Sequence, residues 1–172
     1  FFGDSKETLL TTQGTLTADL QVGDVEHSLV TGFELSSEQS EPEFAFGIGV
    51  PETDLLAPDS SMPFSATSIE PRVRANTRGD TTALYLLDTI KLSDAWQIVA
   101  GVRWDRFKTD YDAERFAGTP TPFNPGDVAG TESFDQTDDV VSYRTALVYK
   151  PSIERTWYIA GSTSFNPSAQ SL

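Results

Sequence analysis

The chain has 172 residues, enough for one ordinary domain, and a formal net charge of −14. That acidity argues against nucleic-acid binding, which needs a basic face, and the absence of cysteine excludes disulfides and thiolate metal sites. No run of about 20 apolar residues occurs, so no helix can span a membrane, while abundant Gly, Thr, Ser, Asp and aromatic residues favour strands and turns.

Period-2 alternation and turn punctuation predict six strands, at Thr8–Val22, His27–Gln39, Asp80–Leu92, Ala95–Asp112, Asp139–Lys150 and Arg155–Asn166. Several exceed an ordinary strand, and transmembrane strands need about 9–11 residues. Three connections are short: Gly23–Glu26, Ser93-Asp94 and Pro151–Glu154. Two are long, about Ser40–Gly79 and Ala113–Asp138, and short and long links alternate strictly. An antiparallel up-and-down barrel crossing a membrane gives this pattern, with short turns on one side and long loops on the other. A soluble antiparallel sandwich with one wet face gives the same alternation along each strand, but more even loops.

The faces follow from parity. In the second strand Leu29, Thr31, Phe33 and Leu35 oppose Ser28, Val30, Gly32 and Glu34. In the fourth, Trp96, Ile98, Ala100, Val102 and Trp104 oppose Gln97, Val99, Gly101, Arg103 and Asp105. In the fifth, Tyr143, Thr145, Leu147 and Tyr149 oppose Ser142, Arg144, Ala146, Val148 and Lys150. One face suits lipid with aromatic girdles, the other a lumen or the surface of a plug. The third strand is less regular, because Asp88 shares parity with Leu84, Leu86, Ile90 and Leu92. Either Asp88 sits at the membrane rim near Ser93-Asp94, the preferred reading, or the strand is slipped by one residue with Tyr85 and Leu87 outward. An apolar content of 38% is lean for a soluble globule but adequate where only one face of each strand is apolar.

No catalytic constellation is visible, and the chain reads as a non-enzyme without cofactor. The single histidine, His27, reads as a strand-start residue at the rim. The carboxylates Asp110, Asp112, Glu114, Asp135, Asp138 and Asp139 match no EF-hand spacing and read as a solvated loop, with divalent bridges to lipopolysaccharide phosphates as one use. The basic residues are few and therefore informative. Arg72, Arg74 and Arg78 fall at the end of the first long loop, and Arg103 and Arg144 point to the lumen side. Guanidiniums suit anions through charge and aromatic groups through stacking and cation–π contact. The competing account pairs the lumen arginines with acidic residues of barrel or plug. It pairs the loop arginines with lipopolysaccharide phosphates, or with Glu70 and Asp80.

Four segments resemble TonB-dependent siderophore receptors. Tyr85 to Asp88, a short turn and Gly101-Val102-Arg103-Trp104-Asp105 resemble a hairpin of that family, Tyr-x-x-Asp followed by Gly-x-Arg-aromatic-Asp. Tyr143 to Pro151 is similar to its Arg-x-Gly-Leu-Val-Tyr-Lys-Pro strand, with Ala146 where glycine is commoner. Trp157 to Pro167 is similar to Tyr-x-Ser-x-Ser-x-Ser-Phe-x-Pro, and Val25 to Glu34 to His-x-Leu-x-x-Gly-x-Glu. The Leu86-Leu87-Asp88-Thr89 variant resembles the catecholate-receptor branch. The resemblance implies an all-β transmembrane barrel in the outer membrane. It also implies uptake of a ferric siderophore, coupling to the TonB complex through a plug domain, and contact with outer-membrane lipid and lipopolysaccharide. The ligand-binding residues it leads one to expect are Arg72, Arg74, Arg78, Arg103 and Arg144. The chain begins at Phe1-Phe2-Gly3 without a signal peptide and stops at Ser171-Leu172, so it reads as the middle of a barrel, 1–172, lacking the plug and the remaining strands. A soluble sandwich binding module and a passive porin-like channel are the alternatives.

Overall fold

A computed structural model describes residues 2–63, 65–118 and 126–165. The described residues form six strands and no helix: β1 (Phe2–Val22), β2 (Val25–Ile48), β3 (Ser68–Lys91), β4 (Trp96–Phe116), β5 (Val128–Ser152) and β6 (Arg155–Ser162). They make one antiparallel sheet in the order β1-β2-β3-β4-β5-β6, so every strand pairs with its sequence neighbours. That is the expected up-and-down connectivity. β5 and β6 pair with Arg144 opposite Ser162 and Tyr149 opposite Trp157, and the register is irregular between Tyr149 and Ser152 beside the turn.

The strand count and the short turns match the sequence reading, but the strand lengths do not. β2 continues nine residues past Gln39 to Ile48, and β3 starts at Ser68 rather than Asp80. β4 reaches Phe116 and β5 starts at Val128, so the two long connections shrink to 49–67 and 117–127. The added stretches, such as 40–48 and 131–138, are mostly polar, with Phe44 and Phe46 sharing a face only at the end of β2, and carry no sustained apolar alternation to detect. Backbone pairing holds them without it. At the ends of the ladders Thr67 N donates to Ile48 O at 2.7 Å and Ala117 N to Asp127 O at 2.8 Å. β6 ends at Ser162, short of the expected Asn166, which with Pro167 at the end of its motif lies outside the described residues.

The chain divides into two compact units. One comprises Phe1–Thr8, Glu38–Arg78 and Asp110–Asp135, and the other Leu9–Ser37, Gly79–Thr109 and Gln136–Leu172. Both long connections belong to the first unit and all three short turns to the second. The first short turn uses Gly23 at φ 64°, a left-handed conformation that glycine adopts without a Cβ clash. In the connection 49–67, Asp54 Oδ1 accepts the Leu56 amide at 2.7 Å, and Asp59 Oδ1 accepts the hydroxyl and amide of Ser61. These donors hold the Asp59 carboxyl below its ordinary pKa.

Within the second unit the two faces separate as parity predicts. Phe33, Leu35, Leu84, Leu86, Trp96, Val102, Tyr143, Leu147 and Tyr149 are all exposed on one face, where Trp96 and Tyr149 stack at 4.4 Å. The other face carries a polar network. Tyr85 and Leu87 lie on this polar face, so the one-residue slip of β3 is overturned. Asp88 therefore shares the face of Leu84 and Leu86, and its carboxylate meets His27 Nδ1 at 2.7 Å. His27 is thus more than a strand-start residue, because it supplies the partner that a carboxylate on an apolar face requires.

Candidate functional site

The arginines are the residues on which the sequence reading rests its chemistry. Arg72, Arg74 and Arg78 are strand residues of β3, not loop residues, and their even spacing puts them on one side of that strand. Arg74 forks onto Glu43 of β2, with Nε at 3.3 Å and Nη2 at 3.2 Å from its oxygens, and its guanidinium lies 5.4 Å from the Phe116 ring centre. Arg72 lies 5.6 Å from the Phe46 ring centre and 3.4 Å from Glu70, a buried carboxylate. Its guanidinium fills the space that a side chain at Gly118 would need. Its Nε is buried with no partner among the described residues. Arg78 also has an interaction partner. The pairing of Arg72 with Glu70 agrees with the neutralising account, whereas Glu43 as the partner of Arg74 was not legible.

Beside Arg74 the first unit has an open depression of about 460 Å³, lined by Glu41, Asn76, Asp112, Glu114 and Glu132 among others. All six carboxylates expected in a solvated loop are strand residues: Asp110, Asp112 and Glu114 of β4, and Asp135, Asp138 and Asp139 of β5. Among the described residues no group of three or more His, Cys, Asp or Glu side chains could hold a metal ion.

In the second unit, Arg103 is enclosed by charge. Its Nε donates to Asp105 at 2.8 Å, its Nη1 and Nη2 reach Glu34 at 3.3 Å, and its guanidinium sits 6.0 Å from the Tyr85 ring centre. Tyr85 Oη in turn meets Thr15 Oγ1 at 2.7 Å and accepts from Gln13 Nε2 at 3.1 Å. Residues of β1, β2, β3 and β4 are tied together by this one network. The Arg103–Asp105 contact was legible, because residues two apart on a strand share a face. Glu34, Gln13 and Thr15 come from strands whose register the sequence does not print.

Arg144 behaves differently. Its stem lies flat over Gly101, where an added Cβ would stand 2.9 Å from Arg144 Cγ and 2.8 Å from Leu87 Cδ1. Its guanidinium is exposed, and its side chain has no hydrogen bond or ion pair among the described residues. Arg103 and Arg144 both line an open depression of about 530 Å³ on the polar face, with Gln13, Tyr85, Ser142 and Ser162.

Residues 2–172 match the family described as TonB dependent receptor-like, beta-barrel. The chain is 25% identical over 173 residues to the catecholate siderophore receptor Fiu of Escherichia coli K12, covering 95% of this chain and 22% of that protein. It is 32% identical over 117 residues to the probable TonB-dependent receptor BfrD of Bordetella pertussis, covering 68% of this chain and 15% of that protein. Among solved structures, the open form of the ferric-catecholate import receptor Fiu from E. coli K12 superposes with a TM-score of 0.81 at 23% identity, over 96% of this chain and 26% of that one. The siderophore receptor PiuA from Acinetobacter baumannii superposes with a TM-score of 0.67 at 20% identity, over 87% and 22%. The chain thus spans about a fifth of the length of the curated Fiu relative. Its antiparallel up-and-down sheet, its divided faces and its match from residue 2 to residue 172 place it in the TonB-dependent receptor β-barrel family.

Proposed function

We propose that this chain is a mid-barrel portion of an outer-membrane receptor that takes up an anionic ferric siderophore, of the catecholate class, by TonB-driven transport through a plugged barrel. The plug and the remaining strands would lie elsewhere in the longer protein, and no enzymatic step is needed. The observation that carries the reading is the pair of guanidinium–phenylalanine contacts in the unit with the long connections, Arg72 with Phe46 and Arg74 with Phe116. A tris-catecholate iron complex carries three negative charges and aromatic rims. A guanidinium beside an aromatic ring offers it both charge and a stacking surface. In a chain of net charge −14, such local cations also offset the general repulsion of an anion. Arg78 belongs to the same capture set, and Arg103 and Arg144 line the polar face along which the chelate would pass. The names of the Fiu and PiuA relatives support the siderophore class.

The test replaces Arg72, Arg74 and Arg78 together with Gln in the full-length receptor. Binding of a ferric tris-catecholate should weaken by roughly tenfold or more at low salt, and the difference should shrink as salt screens the charges. Equal affinity of the folded triple variant and the wild type at low salt would reject the capture role. It would leave these arginines to lipopolysaccharide phosphates or to their carboxylate partners.

A further inference from the structure

The outward face of the second unit carries an apolar band of even height. It runs from Leu92, just past the end of β3, back to Leu84, from Trp96 to Trp104 on β4, and from Tyr149 back to Val141 on β5. Asp88, paired with His27, and Thr145 are its polar members. Each run is eight residue steps long, roughly 27 Å along the strand, which is the span of a tilted transmembrane strand. The runs start level, because the Leu92 amide donates to the Trp96 carbonyl at 3.0 Å and Trp96 stacks on Tyr149 at 4.4 Å. Equal lengths make them end level. Arg106, the next outward position after Trp104, accordingly meets Asp139, the next outward position before Val141. At that level the face turns from apolar to charged, at the end of the band away from the short turns. Short turns are periplasmic in such barrels, so this edge faces the headgroups of the outer leaflet.

We propose that Arg106 and Lys108 of β4 bind phosphate groups of the outer-leaflet glycolipid, lipopolysaccharide, against the outer wall of the barrel. This rests on the proposed place in the outer membrane and not on what the receptor carries. Three observations lead to it. The first is placement. Both side chains are exposed and share the outward parity of Trp104, and successive outward positions stand roughly 7 Å apart. The second is that the fork of Arg106 is uncommitted. Its Nε stands 4.0 Å from Asp139 Oδ1, beyond hydrogen-bond distance, in a pair that is half exposed. Arg74, Arg103 and Arg115 each hold a carboxylate oxygen within 3.3 Å. A phosphate can therefore take the parallel donors of Arg106 without displacing a hydrogen-bonded carboxylate. Lys108 has an interaction partner of its own and adds a second positive charge. The third is the residue beneath. Tryptophan favours the interface between hydrocarbon and headgroups, and long basic side chains bridge it, with their stems on apolar surface and their charge in the headgroup layer.

The experiment uses the full-length receptor in phosphatidylcholine vesicles that contain a minor fraction of lipid A, either with both phosphates or with both removed. A photocrosslinking p-benzoylphenylalanine placed at Val141, an exposed position in the last row of the band, reports which lipid lies beside the site. Crosslinks to phosphorylated lipid A should exceed its share of the vesicle, and removal of the phosphates should abolish that excess. Arg106→Gln together with Lys108→Gln should lower the excess by roughly fivefold or more, as expected for cations lost at an anionic surface. Intact barrels are verified by heat-resistant migration on gels. Arg106→Lys, which keeps the charge and loses the fork, should lose part of the excess and is read if the double variant does not fold. Arg155→Gln, beside a short turn, should leave the excess unchanged. An excess that survives in the folded double variant overturns the proposal, as does equal crosslinking of the two forms of lipid A. Loss of the wild-type excess on chelation of divalent cations also overturns it, because the phosphates would then be held by carboxylates through bridging ions. A receptor that binds no ferric catecholate would refute the proposed uptake and leave this result standing.

Discussion

Gly32 shows how much of this sheet depends on single positions. An added Cβ there would collide with the Gly14 carbonyl oxygen of β1 and with the Tyr85 hydroxyl of β3. The backbone oxygen cannot swing aside as a side-chain end could, so Gly32→Ala should cost about 1–3 kcal/mol of stability. It should also break the Tyr85–Thr15 contact. Urea unfolding of the receptor in lipid measures the first effect. Loss of stability no greater than at Gly161, where an added Cβ meets nothing, would contradict it. The His27–Asp88 pair makes a second residue-scale case. One Asp88 oxygen bonds His27 and the other is buried with no partner among the described residues. Removing His27 alone strands a carboxylate on an apolar face, and His27→Ala should cost about 1–3 kcal/mol. Replacing both residues with Leu removes the demand as well as the supply, and should cost less than the single change. A double variant less stable than His27→Ala would show that the pair does more than neutralise Asp88.

At the scale of the element, the strands outrun their apolar segments. The polar extensions in the first unit are bridged by cross-strand charge pairs: Lys6–Glu41 between β1 and β2, Arg74–Glu43 between β2 and β3, Arg115–Glu132 between β4 and β5. Arg74 and Glu43 are each about half exposed, at 54% and 44%, so water screens their attraction. Glu43→Gln should therefore leave stability almost unchanged, detected as at most a small shift in the unfolding midpoint that vanishes at high salt. A large shift that persists at high salt would mean that the pair, and not backbone pairing, holds the extension together.

At the scale of the molecule, the divided faces make a prediction about solvent. Trp96 is 41% exposed on the face that carries Leu84, Leu86, Leu147 and Tyr149, and Trp104 shares its parity. In reconstituted receptor, a lipid-soluble quencher should reach both tryptophans. Quenching by an aqueous agent alone would mean that this face looks into the lumen. The sequence alone determined the strand number, the faces of the second, fourth and fifth strands and the alternation of short and long links, whereas the face of Asp88 in β3 was decided by the structure. Those follow from local rules: alternation along a strand, turn residues, and the parity that puts Arg103 beside Asp105. Tertiary structure alone decided how far β2, β3, β4 and β5 extend, because mostly polar strand ends are held by neighbours and not by pattern. It also decided which charges are spoken for. Glu34 and Arg103 are 69 positions apart, His27 and Asp88 61 apart, and only the register of pairing strands brings such residues within hydrogen-bond distance. Arg103 and Arg144 look alike in sequence, two arginines on polar faces. Register surrounds one with carboxylates and leaves the other without an acidic partner among the described residues.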